Sequence, residues 1–134
     1  MEKLTIQIPI EPKTKKNSQQ IVLIKGRPVI IQSKAYKEFE KACLPFIPRL
    51  KKPIDEPVNV RCIFYRGSRR RVDLCNLLAS IDDILVKHGV LADDNRSIVY
   101  AHDGSRVYYS KENPRTEIEI TKITDENVER WKES

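Results

Sequence analysis

The residues that could do chemistry are gathered between Arg66 and Asp94. Arg66, Arg69, Arg70 and Arg71 sit on a Gly-containing loop and form the densest positive charge in the chain. Asp73 follows at once. Asp82 and Asp83 come later in the same segment, and Asp93 and Asp94 stand side by side after Gly89. Carboxylate oxygens suit a hard cation such as Mg²⁺, which takes one or two of them and fills its shell with water and phosphate. Guanidinium groups grip phosphate oxygens in pairs. Together they point to metal-assisted hydrolysis of a phosphodiester backbone, provided the carboxylates converge. The plainer reading of the same residues is a solvated charge run and a pair of polar turns.

A helix must position them. Asp73 is placed to cap a helix running from about Asp73 to His88, and Gly89 stands where a helix ends. At helical spacing Leu77, Leu78, Ile81, Ile84 and Leu85 share one apolar arc that packs on a sheet. Asn76, Ser80, Asp83 and Lys87 form a separate polar stripe in line with Asp73, and Asp82 lies across the arc. The wheel therefore prefers Asp83 to Asp82 as the partner of Asp73. Asp93-Asp94-Asn95 reads as a tight polar turn after the helix.

Strands are predicted on either side. Leu4, Ile6 and Ile8 alternate with polar residues, as in a half-buried strand. The loop after it carries Lys13, Lys15, Lys16 and Asn17, candidates for holding phosphate. Ile21–Ile24 and Val29–Ile31 flank a Gly-containing connection and predict a hairpin. Ser33 is an expected cap for a helix over Lys34–Leu44, with Tyr36, Phe39, Ala42 and Cys43 facing the core. A proline-punctuated connector leads to a strand from Val58 to Tyr65. A second hairpin is expected around His102-Asp103-Gly104-Ser105; His102 and Asp103 are weighed as site residues, and a turn aspartate with an incidental histidine is the preferred reading. Thr116, Ile118 and Ile120 mark a last strand, and Thr124 opens a short helix ending near Trp131. The expected architecture is a single α+β domain over residues 1–134. It has a mixed, mostly antiparallel sheet, two main helices packed on it and a short C-terminal helix.

Bulk properties agree with a polyanionic partner. The 134 residues carry a net charge of +6 and a pI near 9.3. Three widely spaced cysteines without a CxxC pair, and two histidines, argue against a zinc site or a disulfide framework. No signal-peptide pattern opens the chain, and no apolar run reaches the roughly 20 residues that span a bilayer. A cytoplasmic protein with no membrane partner is expected. A P-loop, an HExxH motif, a nucleophile elbow and a GxGxxG are all missing from the sequence.

The run Arg69-Arg70-Arg71-Val72-Asp73-Leu74-Cys75-Asn76-Leu77-Leu78, then Asp83, then Gly89-Val90-Leu91-Ala92-Asp93-Asp94, resembles the signature of the RusA family of Holliday junction resolvases. The Pro12-Lys13 to Asn17 loop and the Asp103-Gly104-Ser105-Arg106 and Pro114-to-Ile118 segments are similar to phage-type members. The resemblance implies a homodimeric, Mg²⁺-dependent endonuclease that cuts four-way DNA junctions in a bacterial or phage-infected cell. It assigns catalysis to Asp73, Asp83 and Asp94, with Asp93 joining them as a metal ligand. Arg69, Arg70, Arg71, Lys13, Lys15, Lys16 and Asn17 would contact DNA. Two positions depart from the pattern: Cys75 stands where the family has a second aspartate, and Ala79 where it has a lysine. A thiol is a poor Mg²⁺ ligand. A non-catalytic junction- or nucleic-acid-binding module that lost a ligand at Cys75 is therefore the alternative, ahead of a basic α/β protein whose acidic stretch is only structural.

Overall fold

The computed structural model describes residues 3–15, 19–32 and 34–123. Its main sheet is built from β1 (Lys3–Ile8), β4 (Val58–Arg66), β5 (Val99–Ala101), β6 (Arg106–Tyr109) and β7 (Arg115–Lys122). The order is β1-β7-β4, and both β5 and β6 pair with the far edge of β4. β1 and β4 run antiparallel to β7, whereas β5 and β6 run parallel to β4. A separate hairpin joins β2 (Gln19–Ile24) to β3 (Arg27–Gln32). The helices are α1 (Lys34–Cys43), followed by one 3-10 turn at Leu44–Phe46, and α2 (Leu74–Lys87). This is the α+β architecture expected. The proposed C-terminal helix and the Ser33 cap lie outside the described residues.

Strand alternation decides which face is covered. Ile6, Ile8, Val58, Val60, Cys62, Phe64, Ile118 and Ile120 are buried and occupy matching registers across β1, β7 and β4. They form one core with Tyr36, Phe39 and Cys43 of α1 and with Leu77, Leu78, Ile81, Ile84 and Leu85 of α2. Both helices thus lie on the same side. Burial of such a side chain contributes about 1.5–3 kcal/mol. The opposite face carries Thr5, Gln7, Arg61, Tyr65, Arg115, Glu117 and Glu119, a polar surface broken by the buried Ile63. Ala42 is exposed, not in the core as its spacing suggested, because the α1 contact narrows to Tyr36, Phe39 and Cys43.

The second hairpin expected from Asp103-Gly104 does not form. β5 and β6 lie end to end along β4, pairing with Val58–Asn59 and Ile63–Arg66 respectively. The turn between them interrupts one edge strand. Side chains complete the ladder across the gap: Asn59 Nδ2 donates to Asp103 O at 3.1 Å, and its Oδ1 accepts from Asp103 N at 2.7 Å. Ser105 Oγ accepts from Cys62 N at 3.0 Å. The break in register is held by the Asn59 side chain of β4 on the Asp103 backbone and by the Ser105 hydroxyl.

Candidate active site

α2 starts where the apolar arc begins, with Asp73 in extended geometry at the cap position. Its carboxylate makes no cap bond to the helix backbone. Asp73 Oδ2 instead accepts from Asn76 Nδ2 at 3.2 Å, while its carbonyl takes the first helical hydrogen bonds. The side chain is exposed, so its oxygens face outward from the positive end of the helix. Cys75, two residues on, is also exposed. The helix closes at Gly89, whose φ of +78° permits bonds from Gly89 N to Val86 O and from Val90 N to Leu85 O. The chain then bridges to the proline-rich connector: Ile54 N donates to Val90 O at 2.8 Å and Ala92 N to Ile54 O at 2.9 Å.

The polar stripe of α2 exists, but it is occupied from inside the protein. Ser80 is buried and donates to Lys13 O at 2.9 Å, so the Tyr36 hydroxyl donates to Ser80 at 3.0 Å. Burial raises the Tyr36 phenol to about 12. Asp83 lies within 3.8 Å of Lys15 and 3.4 Å of Lys87, and Lys87 also bonds Glu40 of α1 at 3.0 Å. That bond, with the nearby Asp83 charge, raises the Lys87 ammonium. The stripe thus fastens α2 to α1 and to the Lys13–Lys15 loop, and Asp83 is engaged by lysines.

Asp82, which the wheel set aside, is buried on the opposite flank. Its Oδ2 is 2.8 Å from His102 Nε2, and its buried Oδ1 has no hydrogen-bond partner among the described residues. His102 is therefore not incidental to its turn. Neither partner announced the other in sequence, because the pairing depends on the break between β5 and β6. At the post-helix turn, Asp93 Oδ1 accepts from Asp94 N at 2.7 Å and Oδ2 from Asn95 Nδ2 at 3.1 Å. The Asp94 carboxyl is raised above the ordinary carboxylate range. Desolvation is the largest cause, followed by its contact with Asp93, the charge of Asp93 and the charge of Asp82. The helical charge that reaches Asp94 is thus that of Asp82. Among the described residues no three His, Cys, Asp or Glu side chains are gathered into a ready metal shell.

Two loops distant in sequence build the basic side of the site. Glu11, Pro12, Lys13 and Thr14 face Arg66, Ser68, Arg70, Arg71 and Val72 across a cavity of about 510 Å³. Both Glu11 oxygens accept from Gly67 N, at 3.1 and 2.9 Å, which clamps one loop to the other. Arg66 Nη1 donates to Arg70 O at 2.7 Å, and Ser68 Oγ accepts from Arg70 N at 3.1 Å. Gly67 also approaches Pro114 closely: a Cβ there would sit 3.0 Å from Pro114 Cγ, so a larger residue would push the Pro114 ring aside. Arg69, Arg70 and Arg71 are exposed, and the cavity adjoins Asp73 through Val72. Lys16 and Asn17 lie outside the described residues.

An α+β layer that sets the exposed Asp73 carboxylate next to an arginine-lined cavity is the frame of a protein that handles a phosphate backbone. The family model for endodeoxyribonuclease RusA matches residues 9–121, and the chain belongs to that family. The family's activity is endonucleolytic resolution of Holliday junctions. No curated protein matches the chain.

Proposed function

We propose that this chain is a Mg²⁺-dependent endonuclease that nicks four-way DNA junctions as a homodimer in DNA recombination and repair. The observation that carries the reading is the convergence of Lys13, Arg66, Arg70 and Arg71 on one cavity beside the outward-facing Asp73. Such a cavity orients a phosphate backbone toward the carboxylate at the helix start. The donor set suits a hard cation: the Asp94 carboxyl is raised by desolvation first and then by Asp93 and the charge of Asp82, and the buried Asp82 Oδ1 has no hydrogen-bond partner among the described residues. Asp73 and Asp94 would hold Mg²⁺, and Asp93 would orient Asp94 from within the turn. Asp83 would act from its lysine network as a support for the Lys13–Lys15 loop. When bound, Mg²⁺ supplies Lewis-acid stabilisation of the charge that builds on the phosphate. The arginines fix the scissile strand, and a two-fold dimer would offer equivalent sites to a roughly symmetric substrate.

Asp73→Asn and Asp94→Asn test this directly. Each is expected to lower nicking of a synthetic junction at least ~100-fold, with junction affinity within a few-fold of the parent. Strong cleavage by both variants would sink the assignment. The exposed Cys75 favours a second reading, in which the chain binds junctions without cutting them. Under that reading the unmodified chain shows no Mg²⁺-stimulated nicking, and Cys75→Asp gains it.

A further inference from the structure

We propose that Arg69 and Tyr109 form a stacking platform for a single unpaired nucleobase of bound DNA. This site rests on the DNA-processing reading but not on the cutting chemistry. The Arg69 guanidinium carbon lies 4.4 Å from the centre of the Tyr109 ring, and the tyrosine is 45% exposed at the end of an edge strand. Strand alternation gives the two neighbouring tyrosines different fates. Tyr108 shares a row with Tyr65 and Arg115, whose ring and guanidinium groups lie 5.6 and 3.6 Å apart in turn along the polar face of the sheet. Tyr109 is registered with Arg66 and faces the side of the basic cavity.

The platform is fixed from both sides. Ser110 N donates to Arg66 O at 2.8 Å and ties the strand end to the root of the arginine loop. The loop itself is clamped by Glu11 and by the close approach of Gly67 to Pro114. A phenol and a guanidinium held in a layer present π surface and positive charge together, the pairing that single-stranded nucleic-acid sites use. Arg70 and Arg71 follow Arg69 directly, so a base on Tyr109 would keep its own phosphate within the arginine loop's reach. A base inside an intact duplex has both faces covered by its neighbours. Only a base unstacked at a branch point, bulge or frayed end has a face to offer. The platform would therefore select interrupted helices over continuous ones.

Photo-crosslinking tests the site. Full-length protein is irradiated with DNA carrying 5-iododeoxyuridine either in a one-nucleotide bulge or at the same position in a continuous duplex. The adduct is expected on the peptide containing Tyr109, at least ~10-fold more from the bulge. Tyr109→Phe should retain it, and Tyr109→Leu should lose about 90% of it with an unchanged melting temperature. An adduct mapped away from Tyr109, equal yield from the duplex, or no adduct at all overturns the proposal. Junction nicking measured on the same preparation separates the two readings. An adduct without nicking keeps the platform and sinks the nuclease, whereas nicking without the adduct does the reverse.

Discussion

Folding makes the Asp94 carboxyl harder to ionise. Desolvation is the first cause, and the contact with Asp93 and the charges of Asp93 and Asp82 add to it, so the folded state holds a proton on Asp94 more tightly than the unfolded chain does. A carboxyl raised by folding stabilises the fold at acid pH, and that contribution is lost as pH rises through its folded value. At neutral pH the ionised Asp94 is therefore a cost. Asp94→Asn should melt ~1–2 °C above the parent at pH 7 without metal, and the difference should vanish below the ordinary carboxylate range. Mg²⁺ should raise the parent's melting temperature and not the variant's, because binding to the native state alone stabilises it. Calorimetry at both pH values checks this; a variant that melts lower than the parent at pH 7 contradicts the charge balance. The two buried thiols behave as core. Burial pushes the Cys43 thiol up to about 12 and drives Cys62 higher still, so neither is a reactive thiolate at neutral pH.

At the level of elements, the arginine loop works because another loop holds it. Glu11 gives Gly67 N a charged acceptor while adding a negative charge to the cavity floor. Glu11→Gln keeps an acceptor and removes the charge, so junction affinity should hold or rise. Glu11→Ala loses the clamp, and affinity should fall about fivefold although a basic cavity has been freed of an anion. Equilibrium binding at fixed salt decides; equal affinity for both variants would mean the clamp positions nothing. Much of this layout was legible in the chain. The period-2 strands, the apolar arc of α2 and its stop at Gly89 follow from local chemistry. The resemblance drew on the order of the basic loop, helix and acidic turn. Three features were illegible. A helix wheel orders residues around an axis but does not say what covers each stripe, so it puts Asp83 in line with Asp73 without showing that Lys15 and Lys87 lie against it. The Asp82–His102 pair and the broken edge strand both depend on pairing to β4, which no local pattern encodes.

For the molecule as a whole, the β2–β3 hairpin is the part that the core does not explain. Lys25 and Gly26 both have positive φ, at 52° and 77°, the geometry of a two-residue turn matched to strand twist. The ribbon is well made yet wet: Ile21 is 71% exposed, Leu23 74% and Ile30 65%, and Ile21 faces Ile30 across the strands. A two-stranded hairpin is marginal in water on its own, and an apolar ladder of this kind needs a cover. In a two-fold dimer each copy's hairpin would find its cover on the other, which is how an isologous interface is built. The chain is accordingly expected to sediment as a dimer of 15.6 kDa subunits. Ile21→Lys combined with Leu23→Lys should yield monomers that stay folded, because neither side chain contributes to the core. On a junction, the parent dimer should release paired incisions from one encounter, whereas the monomeric variant should give single nicks at a lower rate. A parent that sediments as a monomer, or a double variant that remains dimeric, would remove the hairpin from the interface.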